Sequence, residues 1–389
     1  MKKIKVGITG NTGFIGTHLI HYLRTKRDEI EIIPFFHDFF IDQHQLSAFV
    51  SQCDVIVHLA AMTRGDADTL YNCNISLVNQ LINSLNSTIH RPHIIFSSTI
   101  HEKKGNPYGR SKAEGRKLFE AWAQQNCARF TCLVIPNVFG PFEKPFCNSV
   151  ISTWCYQLTH KLQPTIEIDR DLGLIYVISL IEKILEIIMS HRSDTEILIP
   201  ADKTMKLSEI LSKLKEYQKQ YFENSIIPKF QDDFEIALFN TFRSSIDDDH
   251  FPVLLVRNED NRGFLIELVK ELCGGQIFFS VTNPGIQRGN HYHTKMIERC
   301  CVVEGEALLQ FRRIGTDQTF EYRLSGDIPG FVDIPIFFTH TITNIGRTVL
   351  TTLFWTNEIS DQKIADTFYV NFNQVKLDAR SNEKKTFKK

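Results

Sequence analysis

The chain has 389 residues, 42% apolar and 23% charged, a balance that suits two or three folded domains and excludes a disordered chain. Forty-four basic residues against 45 acidic ones give a formal net charge of −1, which argues against a nucleic-acid or membrane-surface partner. No run approaches the roughly 20 apolar residues of a membrane span, and nine cysteines are scattered without a CxxC pair, as in a reducing, cytoplasmic setting.

The opening KIKVGIT (3–9) predicts a strand and THLIHYLRTK (17–26) a helix; this start is too short and glycine-broken for a secretory signal. IEIIPFF (30–36), DVIVHLAA (54–61), HIIFSS (93–98) and RFTCLVIP (129–136) predict further strands, with helical patterns at 75–86 and 111–126 between them. Strands alternating with helices imply a doubly wound α/β fold with a parallel sheet covered on both faces. From about 140 to 245 the pattern is irregular. It holds a buried amphipathic helix in LIYVISLIEKILEIIMS (174–190) and a second helix in LSEILSKLKEYQKQY (207–221). The acidic stretch SSIDDDHFPV (244–253) predicts a linker. Short strands with glycine turns follow, which argues for an all-β barrel. Cys300 and Cys301 are expected to pack on opposite faces of one strand. The domains are therefore drawn at 1–245 and 252–372, with a charged tail, 373–389, expected to be disordered.

Two stretches carry chemistry at the front of the chain. In TGNTGFIG, Gly10, Gly13 and Gly16 fall between a strand and a helix, where the backbone turns sharply and the helix N-terminus meets a pyrophosphate. Asp38 ends the second strand region, either as an acid for a ribose hydroxyl or as a solvated loop residue. In NPYGRSKAEG, Tyr108 and Lys112 share one helix face, and an ammonium beside a phenol lowers the phenol's pKa. Thr99 ends a strand where a hydroxyl can meet a carbonyl.

Near the back, His291 and His293 lie two apart, facing one side of a strand, with Glu298 from the next strand and His340 from a distant one. Three histidines and a carboxylate suit zinc, iron, nickel or manganese. Lys295 is either a base near this site or a solvated strand residue.

The ordered set TGxxGxxG, HLAA (58–61), Asn74, SST (97–99), YxxxK and PNVFGP (136–141) resembles the extended short-chain dehydrogenase/reductase family, over about residues 3–245. The resemblance implies a Rossmann-like fold, a nucleotide-sugar substrate, and NADP as cofactor with NAD as the alternative. It makes Thr99, Tyr108 and Lys112 the catalytic set. It places Gly10, Thr12, Gly13, Phe14, Ile15, Gly16, Asp38, Leu59, Ala60, Ala61, Asn74, Lys112, Asn137 and Val138 around the cofactor. Two departures stand out: the stretch between SST and the tyrosine is short, and Ile135 occupies a position where many relatives carry arginine. The pattern G-x5-HxH-x4-E-x6-G (285–305) followed by P-x4-H-x3-N (335–344) resembles the cupin family, with Phe337 where glycine is usual. By that resemblance His291, His293, Glu298 and His340 hold a metal such as zinc.

The reductase-then-cupin order resembles the CapF-type family of bifunctional capsular-polysaccharide enzymes. This resemblance implies a cytoplasmic homodimer acting on a UDP-sugar. The cupin epimerises C3 of a UDP-2-acetamido-2,6-dideoxy-4-hexulose, and the reductase then reduces the C4 ketone. The product is a 6-deoxy-talosamine sugar on the way to UDP-N-acetyl-L-fucosamine. Chemistry supports this order, because the C3 proton is acidic only while C4 is a ketone. The alternatives are a single-activity reductase or epimerase with a structural cupin, and a non-catalytic sugar-binding scaffold.

Overall fold

A computed structural model describes residues 2–190, 195–255, 257–260, 263–266, 269–271, 276–357 and 366–373. The tail expected to be disordered lies outside the described residues, apart from Asn373. The chain divides into two compact units, Met1–Asn224 with Phe230–Ile246, and Ser225–Lys229 with Asp247–Lys389.

In the first unit β1 (Ile4–Thr9), α1 (Phe14–Arg24), β2 (Ile30–Ile33), α2 (Gln43–Gln52), β3 (Val55–His58), α3 (Ala67–Asn86), β4 (His93–Thr99), α4 (Pro107–Asn126) and β5 (Phe130–Ile135) alternate. After them come β6 (Asn137–Phe139), α5 (Val150–Thr159), β7 (Asp171–Tyr176), α6 (Val177–Ser190), β8 (Glu196–Leu198), β9 (Lys203–Lys206), α7 (Leu207–Tyr217) and α8 (Asp233–Arg243). Six strands form one parallel sheet, ordered β2-β1-β3-β4-β5-β8. All residues of β3, β4 and β5 are buried, as a sheet covered on both faces requires. Helices α2, α3 and α4 pack together, while α1 packs on α6. Beside α2, Phe35 meets Phe40 and Phe49 edge-on at 5.3 and 5.0 Å.

Two elements differ from the sequence expectation. The run 174–190 begins as strand, because Leu174–Tyr176 pair with β6, and becomes helix only at Val177. Helices α5 and α8 lie in the stretch read as irregular. Nine of the eleven residues of α8 are buried.

In the second unit β10 (Ile226–Ile227) pairs in parallel with β14 (Lys270–Glu271), and β12 (Arg257–Asp260) pairs with β13 (Gly263–Ile266). One antiparallel sheet joins β11 (Val253–Leu254), β20 (Gly330–Ile334), β17 (Glu298–Glu304), β22 (Leu350–Thr356) and β15 (Gln276–Thr282). The other joins β19 (Thr319–Ser325), β18 (Glu306–Arg313), β21 (Phe338–Asn344), β16 (Gln287–Tyr292) and β23 (Phe368–Tyr369). This is a cupin-type barrel. Tyr292, Phe311, Phe331 and Trp355 fill its core, and Cys300 and Cys301 are both buried. The buried Arg299 makes a bidentate pair with Asp333, at 2.7 and 3.1 Å, and lies 3.8 Å over the Phe331 ring. Its third arm donates to the Ser225 carbonyl at 3.4 Å, which fastens the 225–229 excursion to the barrel.

Candidate nucleotide cleft and metal cup

A cleft of about 870 Å³ opens among residues that follow the carboxyl ends of β1, β3, β4 and β5, including Gly10, Leu59, Thr99 and Asn137. The strand order reverses between β1 and β3, the topological switch point at which such sheets bind ligands. Gly10 has φ +70°, and a Cβ there would sit 2.6 Å from the Ala60 nitrogen. A Cβ on Gly16 would overlap the Gly10 carbonyl oxygen. The first turn of α1 has no side-chain cap, because its N-cap is Gly13. Together these leave an uncapped helix end beside a smooth backbone cradle, which fits a dinucleotide pyrophosphate.

Thr99 and Tyr108 both line the cleft. The Thr99 hydroxyl oxygen accepts from the His101 N–H at 3.2 Å, so its own proton can serve a ligand carbonyl. Asn106 caps α4 by accepting from the Gly109 N–H at 2.7 Å, and Pro107 opens the helix, which sets Tyr108 in its first turn. Burial pushes the Tyr108 phenol up to about 12. Lys112 lies beneath the cleft wall, 3% exposed, donating to Ser97 Oγ at 3.3 Å. Burial pulls its ammonium down to about 8. The expected lowering of the tyrosine pKa by Lys112 is therefore not found. The ammonium faces Ser97 and the ring faces of Phe96 and Tyr108, at 4.8 and 5.8 Å, and desolvation of the phenol wins.

Gly10, Gly13, Phe14, Ile15, Gly16, Leu59, Ala61, Asn137 and Val138 line the cleft; Thr12, Asp38, Ala60, Asn74 and Lys112 do not. Asp38 is exposed in a short 3-10 turn. Asn74 is 5% exposed and fully engaged. Its oxygen accepts from the Met62 N–H at 2.6 Å, and its amide donates to the Met62 carbonyl and to Ser111 Oγ, each at 3.0 Å. It braces the cleft loop and has no hydrogen left for a cofactor. His58, of the HLAA stretch, is likewise structural: buried, held neutral by desolvation at about 3, and bonded to Thr9 Oγ1 at 2.8 Å.

The cleft also holds polar residues that no sequence motif marks. Arg64 and Arg170 line it and suit a diphosphate. Glu143 lines it too, with Oε2 buried and unpartnered among the described residues, and burial raises its carboxyl to about 7. Asn148 donates to Thr63 Oγ1 at 2.6 Å, and Arg64 donates to the Phe146 carbonyl, so two loops clasp each other at the cleft. No motif spacing marks these contacts, which join residues 82 and 85 positions apart.

The barrel brings His291, His293, Glu298 and His340 together, with one ligand atom of each within 4.8 Å of the others. A bulge at Gly289 and Asn290 shifts the register so that His291 of β16 lies opposite His340 of β21. Glu298 opens β17 in the other sheet. The His293 carbonyl accepts from the Phe337 N–H at 2.8 Å, with Phe337 at φ +61°. The turn thus keeps the left-handed conformation that favours glycine, although a phenylalanine fills it. That conformation costs a non-glycine residue about 1–2 kcal/mol, which burial of the ring offsets.

His293 Nδ1 donates to the Asp366 carbonyl, which fixes the tautomer and turns the Nε2 lone pair into the cup. There Nε2 lies 2.9 Å from Glu298 Oε2, an acceptor facing an acceptor unless a proton or a cation lies between them. Burial would raise Glu298, but His293, His340 and His291 outweigh it and hold the carboxyl at about 2. Burial keeps His340 neutral, at about 3. Burial also lowers His291, whereas at His293 burial is outweighed by Glu298 beside it, which raises it. A charged carboxylate, three imidazoles and one tautomer fixed from behind are a donor set that fits a divalent transition metal. Lys295 is exposed.

Comparison with known proteins matches both units of the chain. Residues 6–173 match the NAD dependent epimerase/dehydratase family, and residues 258–368 match the polysaccharide biosynthesis C-terminal domain. A Pseudomonas aeruginosa UDP-2-acetamido-2,6-beta-L-arabino-hexul-4-ose reductase is 26% identical over 368 residues, spanning 94% of this chain and 98% of that protein. The crystal structure of the capsular polysaccharide assembling protein CapF from Staphylococcus aureus aligns with a TM-score of 0.60 at 30% identity, over 95% of this chain and all of that one. A second CapF structure, with the inhibitor 3-isopropenyl-tropolone, aligns at 0.57 and 28% identity over 95% of this chain and all of that one. At 30% identity over 95% of this chain and all of that one, the chain belongs to the family of the capsular polysaccharide assembling protein CapF.

Proposed function

We propose that this chain is a two-step nucleotide-sugar enzyme of surface-polysaccharide synthesis. It epimerises C3 of a UDP-2-acetamido-2,6-dideoxy-4-hexulose in the barrel cup and reduces the C4 ketone in the cleft with NADPH, giving UDP-N-acetyl-6-deoxy-talosamine. The reading rests on one observation above the rest: a half-buried Tyr108, its phenol held protonated by desolvation, shares a cleft with Thr99 and a glycine cradle. The Pseudomonas relative, named as a reductase of a 4-keto sugar nucleotide, supports it.

When bound, a nicotinamide supplies the hydride for C4, and a divalent metal held by His291, His293, Glu298 and His340 supplies positive charge for the oxygen of an enediolate. Thr99 donates a hydrogen bond to the C4 carbonyl and orients it. Tyr108 gives its proton to the C4 oxygen, and its high pKa keeps that proton available across the neutral range. Lys112 supports the phenol from beneath through its contact with the ring. Arg64 and Arg170 take the diphosphate. We extend the reading to a homodimer, which light scattering of the purified chain checks.

The test is loss of NADPH absorbance on adding the UDP-4-keto-6-deoxy amino sugar; no consumption by the intact protein rejects the reading. A reductase with a purely structural cup is the second reading.

A further inference from the structure

Residues 366–373 hold all three histidine-bearing stretches of the barrel. Asp366 is 5% exposed. Its carboxylate accepts from the N–H groups of Thr294 at 3.0 Å, Lys295 at 2.7 Å and Met296 at 2.8 Å, and from the Thr294 hydroxyl at 2.6 Å. Those groups form the turn that joins His293 to Glu298. The carbonyl of the same aspartate takes the Nδ1 proton of His293. Beyond it, β23 pairs with β16 at His291 opposite Tyr369. Asn290, beside His291, accepts at its carbonyl from the Val370 N–H and at its side-chain oxygen from the Phe372 N–H, each at 2.8 Å. Thr339, beside His340, donates to the Val370 carbonyl at 2.9 Å.

We propose that Asp366 is a positioning residue that sets the metal affinity of the cup. It joins the His293–Glu298 turn to the carbonyl that fixes the His293 tautomer. The proposal rests on the metal reading above. Removing the carboxylate takes the acceptor from three buried or half-buried backbone N–H groups in the turn that spaces two ligands. The turn then relaxes, and Nε2 of His293 and the Glu298 carboxylate lose their fixed separation. Partners of this kind behind a ligand typically contribute about 10–100-fold in metal affinity.

The test uses the full chain, stripped of metal, as wild type, Asp366→Ala and Asp366→Asn. Each is titrated with Zn²⁺ against a colorimetric chelator and with Co²⁺ by visible absorption. The expected result is about 10–100-fold weaker Zn²⁺ binding by Asp366→Ala and a smaller loss for Asp366→Asn, which keeps one acceptor oxygen, with altered Co²⁺ bands in both. A role in folding alone would lower thermal stability and leave the affinity and the Co²⁺ spectrum of the folded protein unchanged, which overturns the proposal. If Asp366→Ala does not fold, Asp366→Asn decides: wild-type affinity overturns the proposal, and weakened affinity supports it. Wild type that binds neither metal rejects the metal reading itself, an outcome distinct from variants that bind as well as wild type.

Discussion

The cleft and the cup both bury ionisable groups, with different results. In the cleft, burial wins: Tyr108 rises to about 12, Lys112 falls to about 8, and Glu143 rises to about 7. Each group is pushed toward its neutral form. In the cup the outcome is split: burial lowers His291 and His340, but at Glu298 the neighbours win, and the imidazoles of His293, His340 and His291 hold its buried carboxyl at about 2. The difference follows from construction. The cleft is made of backbone ends around an open space, and its polar groups face a ligand still to come. The cup is made of side chains from two sheets that already face one another. Desolvation acts on both, and the presence of a partner decides the charge. A neutral phenol suits proton delivery, and a charged carboxylate among imidazoles suits a cation.

Several substitutions can break or sharpen this contrast. Tyr108→Phe removes the proton donor and is expected to lower the reduction rate by about 10²–10⁴-fold with NADPH binding retained, as read by single-turnover absorbance. Glu298→Gln keeps the shape of the cup and removes its charge. Metal affinity should fall at least about 100-fold by chelator competition, while reduction of a substrate already carrying the product's C3 configuration stays intact. The low lysine pKa predicts a pH effect. Lys112 is charged below about 8 and neutral above it, so the reduction rate should hold at low pH and fall about tenfold per unit above that value. Lys112→Arg keeps the charge and should remove the break from the pH–rate profile. The smallest effect is expected at Asp38, exposed and outside the cleft. Asp38→Asn should change the ratio of NADPH to NADH use by less than about threefold, below the roughly 1.4 kcal/mol that a tenfold preference represents.

What the sequence disclosed follows the same divide. The glycine turn, the Tyr108/Lys112 spacing and the HxH-x4-E run are local, so their residue types and intervals already carry the geometry. The β-rich second unit was legible from glycine turns and alternation, as in β18, where Ala307, Leu309 and Phe311 face inward. Supports from far along the chain were not. Asp366 meets Thr294 across 72 positions, and Asn148 meets Thr63 across 85. The engagement of Asn74 with Met62 and Ser111 was also hidden, because a motif names a residue without saying which of its hydrogens are already used. Phe337 is the reverse case. Its side chain suggested a different turn, yet the backbone adopts the glycine-like conformation all the same.

The central claim, that one chain loosens the C3 proton of a keto-sugar and then quenches the ketone, is tested most directly by NMR of the product. The full enzyme is incubated with the UDP-4-keto-6-deoxy amino sugar and NADPH in D₂O. The expected product is a C4 alcohol with inverted C3 carrying deuterium, a label that Glu298→Gln should lose. A C4 alcohol with its original C3 hydrogen and configuration would contradict the claim.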